Sequence, residues 1–175
     1  MKKKNVIILG GNNNCNISWL KKMKREYKKT YNVFDMYFDN WIDNSDMNFE
    51  IELEKFRNIV EPLNEYFVVA KSAGAILSLM AINKEFIMPE KIVIMGVPLV
   101  YAERKKIDIE ELLSLASKKS NILIIQQKND PQGKYQDIVE LITPNIQKIE
   151  IKGNHHTYGK INYIKTIVDT FLETK

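Results

Sequence analysis

The sequence predicts an α/β protein: a three-layer sandwich of about six strands, mainly parallel, with helices on both faces. Three observations predict it. Short continuous apolar runs recur along the 175 residues, helical apolar stripes fall between them, and no repeat, low-complexity tract or Pro/Gly linker breaks the alternation. A strand covered on both faces loses the apolar/polar alternation of a half-exposed one, so such runs alternating with helices mean a parallel sheet sandwiched between helical layers. The length suits one domain spanning residues 1–175.

The elements follow in order. Val6–Leu9 reads as a strand and Trp19–Tyr27 as a helix; Val33–Phe38, aromatic and β-branched, is the second strand. Phe49, Leu53, Phe56, Val60 and Leu63 recur at helical spacing and form a core stripe. Tyr66–Ala70 is a strand and Ala73–Ile82 a helix, and Ile92–Met95 is the next strand. Asp108 is a candidate N-cap for a helix carrying Leu112, Leu113 and Ala116. Ile122–Ile125 is a strand, Tyr135–Ile142 a helix and Ile146–Ile151 the last strand, and Ile164, Val168, Phe171 and Leu172 mark a closing helix.

Composition narrows the function classes. No apolar run approaches the ~20 residues of a membrane span, and "MKKKNVIILGG" reads as a first strand rather than a signal peptide. The single cysteine, Cys15, excludes an internal disulfide and a cysteine-cluster metal site, and a cytoplasmic location is the expectation. The net charge of +4 is uneven: residues 1–30 carry nine Lys/Arg against Glu26 alone, whereas residues 31–66 carry nine Asp/Glu against Lys55 and Arg57. A basic end could meet nucleic acid or anionic lipid. Leu20, Met23 and Tyr27, however, form one apolar stripe within "KKMKREYKK", so the basic residues read as a solvated helix face, and neither a nucleic-acid nor a membrane partner is expected.

In an open parallel sheet, function gathers at the carboxyl ends of the strands. After the first strand comes "LGGNNNCNISW", a sharply turning loop that can expose backbone N–H groups to an oxyanion; a plain turn is the alternative. It matches neither G-x-G-x-x-G nor G-x-x-x-x-G-K-[ST], the phosphate-binding patterns. After the third strand comes "AKSAG", with the spacing of the nucleophile elbow G-x-S-x-G but Ala70 in place of the first glycine. There Ser72 is either a nucleophile facing a helix N-terminus or simply a helix cap. After the fifth strand "NDPQG" carries Asp130 in a turn, and after the sixth "GNHHTYG" carries the only two histidines, His155 and His156. Adjacent histidines with no cysteine partner make a poor metal chelate. Serine, aspartate and histidine thus fall in that order at three strand ends, the chain order of one lineage of catalytic triads.

With these motifs the sequence resembles the α/β-hydrolase superfamily over nearly its whole length, as a small version that keeps the core from the family's third strand onward. Where relatives insert a lid between Gly96 and Asp108, this chain has only "GVPLVYAERKKID". The resemblance implies Ser72 as nucleophile, Asp130 as the orienting acid and His156 as base, because Gly153 to His156 matches the family's G-x-x-H ending. His155 is the alternative base or a residue flanking the site. The oxyanion hole would use the backbone N–H groups of Ala73 and Asn12. Gly11, Trp19 and Tyr101, with Trp41 and Tyr158, are candidates to line a substrate pocket; their alternative is core packing.

The expected activity is that of a serine hydrolase acting on an ester, thioester or similar acyl bond through an acyl-enzyme, without metal or organic cofactor, in a monomer or homodimer. Its partner would be a small-molecule acyl substrate. Two rivals stand beside it: a non-catalytic protein of the same fold that binds a small molecule or a partner, and a flavodoxin-like nucleotide binder using "GGNNN".

Overall fold

The computed structural model describes residues 3–142 and 144–174. All six strands form: β1 (Asn5–Leu9), β2 (Asn32–Met36), β3 (Tyr66–Lys71), β4 (Lys91–Met95), β5 (Asn121–Gln127) and β6 (Gln147–Ile151). They make one sheet of order β2-β1-β3-β4-β5-β6, and every pairing is parallel rather than mainly so. Burial follows position in the sheet. The central strands β3 and β4 are buried at every residue, which is why they read as unbroken apolar runs. The edge strands β2 and β6 are partly exposed and carry Asp35, Lys148 and Glu150.

Among the described residues seven helices cover the sheet: α1 (Asn16–Tyr27), α2 (Phe49–Val60), α3 (Ala73–Asn83), α4 (Leu99–Arg104), α5 (Ile109–Ala116), α6 (Tyr135–Leu141) and α7 (Ile161–Glu173). Helix α1 packs with α7, and α3 packs against α2 and α5. Leu20, Met23 and Tyr27 of α1 are buried while Lys21, Lys22 and Arg25 are exposed, so its basic residues do occupy the outer face. Helix α2 buries Leu53, Phe56 and Val60 and is capped by Asn48, whose side chain accepts from Glu50 and Ile51 N–H. Asp108 caps α5 by accepting from Glu111 N–H at 2.9 Å. Helix α3 is buried almost all round, which explains why its sequence is apolar on every side.

Two elements depart from the sequence pattern. The second strand ends at Met36 rather than Phe38, because the chain turns into a short 3₁₀ helix at Asp39–Trp41. Helix α4 was not foreseen: six residues give under two turns, too short for a periodic stripe. It fills the place where a lid would be inserted. Among the described residues no helix is long and apolar enough to cross a membrane.

The sheet fixes what stands next to what at its carboxyl edge. Lys71 pairs with Met95, so Ser72 and Gly96 are cross-strand neighbours, and Ser72 N–H donates to Met95 O at 3.0 Å. Gly74 N–H donates to Gly10 O at 3.0 Å, drawing the start of α3 onto the loop after β1. A Cβ at Gly74 would stand 2.4 Å from Gly10 O, so only glycine permits this approach.

Candidate active site

Ser72 sits at the turn from β3 into α3 with φ 56° and ψ −125°, a combination that a residue bearing a Cβ adopts only under constraint. Its hydroxyl makes no capping bond to the helix. Ser72 therefore does not serve as a side-chain cap of α3. Ala73, the first residue of α3, has no intrahelical acceptor for its N–H. Asn12 N–H likewise donates to no group among the described residues. Gly11 lies against Ser72, since a Cβ built on it would be 3.1 Å from Ser72 Cβ.

Asp130 and His156 meet. His156 Nδ1 lies 2.9 Å from both carboxylate oxygens of Asp130. An ionised carboxylate can only accept, so Nδ1 carries the proton and Nε2 keeps a free lone pair. His156 Nε2 is buried and has no hydrogen-bond partner among the described residues. The ring lies over Gly96, where a Cβ would come within 2.9 Å of His156 Cε1 and 2.6 Å of Tyr158 Cε2. Gly96 also has φ +62°, so backbone and ring both demand glycine there. Nε2, bonded to Cε1, is thereby held at the end of β4, beside the neighbouring end of β3 that carries Ser72.

The carboxylate is saturated with donors. Asp130 is 1 % exposed and accepts from Gln132 N–H (2.9 Å), Tyr158 O–H (2.8 Å) and the His156 ring. Tyr158 O–H in turn accepts from Gln127 N–H at 2.9 Å, and Tyr158 O accepts from Trp19 Nε1–H at 3.1 Å. Burial, with the Asp130 charge second, holds the Tyr158 phenol well above its ordinary value, so it stays a donor. Tyr158 was foreseen only as a pocket aromatic; its service to the acid depends on a hydroxyl contact that spacing does not reveal.

His155 goes elsewhere. Its Nδ1 lies 2.8 Å from Thr157 Oγ1 and 3.5 Å from Gln127 Nε2, and its N–H donates to Gln127 Oε1 at 3.2 Å. It borders a cavity of about 290 Å³ with Ile151, Tyr158 and Ile164, behind the histidine loop. The contact with Asp130 thus belongs to His156 rather than His155. Tyr101 is buried with its hydroxyl unpartnered, and Cys15 is an exposed free thiol. Trp19 and Trp41 are both buried, Trp41 donating from Nε1 to Gly11 O at 3.0 Å. Among the described residues no group of three His, Cys, Asp or Glu side chains could hold a metal ion.

Lys71, next to the serine, was missed by the sequence reading. It is 5 % exposed, its Nζ stands 5.0 Å over the Trp19 ring, and its ammonium group makes no hydrogen bond among the described residues. Burial pulls its pKa from 10.5 to about 8, against smaller opposing effects of Cys15 and Asp130. The unfolded chain keeps the ordinary value, so between those two pH values it holds more protons than the folded one. Stability therefore rises as pH increases through that window, and below it the burden is constant. Chemical denaturation at pH 7 and 9.5 should show a gain on the order of 2 kcal/mol that Lys71→Met lacks; equal behaviour of the two proteins would refute it.

This sheet, with a strained serine after β3, an acid after β5 and a histidine after β6, has the α/β-hydrolase fold. No protein-family model matches the chain, and no curated protein does. Solved structures do. An α/β hydrolase enzyme, MGS-MChE2, from a metagenome of sediments of the Mar Chica lagoon, Morocco, aligns with a TM-score of 0.76 at 15 % identity, covering 98 % of this chain and 91 % of that one. Naproxen esterase (carboxylesterase NP) from Bacillus subtilis gives 0.75 at 9 %, covering 98 % and 84 %. Alpha/beta hydrolase domain-containing protein 10 from mouse gives 0.70 at 12 %, covering 99 % and 92 %. At these identities the likeness concerns the fold.

Proposed function

We propose that the protein is a serine hydrolase that cleaves an ester, thioester or similar acyl bond through an acyl-enzyme. The observation that carries the reading is the combination at one sheet edge of an uncapped, strained Ser72 with an Asp130–His156 pair whose Nε2 is free. Similarity to a carboxylesterase and to hydrolases of the same fold supports the acyl-transfer class.

In this reading His156 Nε2 takes the Ser72 proton as Oγ attacks the carbonyl carbon. Asp130 holds the Nδ1–H tautomer and balances the imidazolium that forms. The tetrahedral oxyanion is met by the N–H groups of Ala73 and Asn12, with the N-terminus of α3 adding its dipole. His156 then protonates the leaving group, and a water activated by the same nitrogen releases the acyl group from Ser72. A segment as short as 97–107, filled by α4, fits a small or exposed acyl group.

A fluorophosphonate probe tests this directly. The wild-type protein should be labelled at Ser72, shown by peptide mass mapping, and Ser72→Ala should take up no label. Absence of labelling in a folded wild-type protein would leave the non-catalytic binding reading in its place.

A further inference from the structure

Nothing in the mechanism above explains the 3₁₀ turn after β2, yet two consecutive residues of it grip the oxyanion loop. Trp41 Nε1–H donates to Gly11 O at 3.0 Å, and Asn40 Nδ2–H donates to Asn12 O and, at 3.2 Å each, to Asn12 Oδ1 and Ser45 O. Both residues are 4 % exposed. Trp41 is wedged by Phe38 and Tyr37, with ring centroids at 5.1 and 5.7 Å, and its own ring edge reaches 3.2 Å from where a Gly10 Cβ would be. Asn40 leaves its own Oδ1 buried and unpartnered, so its amide is committed as a donor at the expense of its acceptor.

The consequence lies in the geometry of a trans peptide. Gly11 C=O and Asn12 N–H belong to one planar unit and point in opposite directions. Pinning the carbonyl to the Trp41 indole aims the Asn12 N–H away from it. Asn40 holds the next carbonyl in the same way, so two consecutive peptide units are fixed. An accepted bond at the carbonyl also polarises the unit and strengthens its N–H as a donor. Gly11 lies against Ser72, so this peptide borders the position where a reacting carbonyl oxygen would stand.

We infer that Trp41 and Asn40 are positioning residues of the oxyanion site: they act through Gly11 O and Asn12 O to present the Asn12 N–H to developing negative charge. The inference rests on the proposed serine hydrolase and assigns a task to a segment outside the triad. A loop of two glycines and three asparagines has little rigidity of its own, and catalysis by a preorganised donor requires that the donor not rotate away when charge appears.

The test compares wild-type protein with Trp41→Phe, with site-specific replacement of Trp41 by 3-benzothienylalanine, and with Asn40→Ala. The sulfur analogue keeps the shape of the indole and removes only the donor, so it remains informative where Trp41→Phe fails to fold. Labelling by the fluorophosphonate and hydrolysis of p-nitrophenyl acetate are both followed. The expected result for the sulfur analogue is a kcat and a labelling rate lowered about 10- to 100-fold, with KM within about twofold and a modest fall in melting temperature from the unpartnered Gly11 O. A merely structural Trp41 would move the melting temperature and leave the kcat of the folded protein intact; that outcome overturns the inference while wild-type activity upholds the hydrolase reading. A wild type that neither labels nor turns over overturns both.

Discussion

Ser72→Gly is expected to yield a protein that is both more stable and inert. At φ 56° and ψ −125° a Cβ is strained, and residues held in such regions store about 1–3 kcal/mol. Glycine adopts that backbone freely. The substitution forfeits no helix cap, because the Ser72 side chain makes no capping bond, and glycine is itself tolerated at that position. Part of the gain is lost again to the larger entropy of a glycine in the unfolded chain. A net increase of about 1 kcal/mol should remain, read as a shifted denaturant midpoint at constant slope. Fluorophosphonate labelling and ester turnover should vanish together. Such a trade of stability against activity is what a strained catalytic residue produces. A Ser72→Gly protein equal to or weaker than wild type in stability would show that the turn is not strained.

Asp130→Asn should cost about 10⁴-fold in kcat while the site keeps its shape. Asp130 faces three donors: Gln132 N–H, Tyr158 O–H and His156 Nδ1–H. An asparagine must place its NH₂ against at least one of them. The peptide N–H of Gln132 cannot become an acceptor, so Oδ1 remains there and the NH₂ turns toward Tyr158 and His156. Of these, the imidazole adapts most simply, by moving its proton to Nε2 and accepting at Nδ1. Nε2 then has no lone pair for the Ser72 proton. Turnover measured over a pH series would quantify the loss, and nitrogen NMR of the imidazole would report the tautomer. Wild-type turnover in Asp130→Asn, or an unchanged Nδ1–H signal, would remove Asp130 from the role given to it.

Both effects concern residues that the chain announces locally. Ser72 stands in a strand-to-helix junction flanked by Ala70, Ala73 and Gly74, and small residues at such a corner are a local steric requirement. Asp130 lies in "NDPQG" just beyond an apolar run, and proline and glycine shape a turn whatever surrounds it. The four inner strands were legible for a similar reason: burial on both faces imposes an apolar composition that is written residue by residue. The polar edge strand β6 was legible at its apolar residues Ile149 and Ile151, although its face is half exposed.

What was not legible depends on contacts between distant segments. The preference for His156 over His155 followed from the G-x-x-H ending of the resembled family, but its contact with Asp130 is set by which way the loop after β6 turns, with Gln127 capturing His155 across 28 residues. Tyr158 reaches Asp130 over the same separation. Trp41 meets Gly11 across 30 residues because β2 and β1 are neighbours whose carboxyl ends coincide. Lys71 owes its lowered pKa to burial beneath Trp19 from another layer. Periodicity and turn chemistry act within a few residues of the chain, and so wrote the sheet, the elbow and the serine, aspartate, histidine order of the strand ends into the sequence. Hydrogen-bond direction, burial of charge and the aim of a peptide N–H arise when strand ends converge, and so they emerged with the assembled sheet edge.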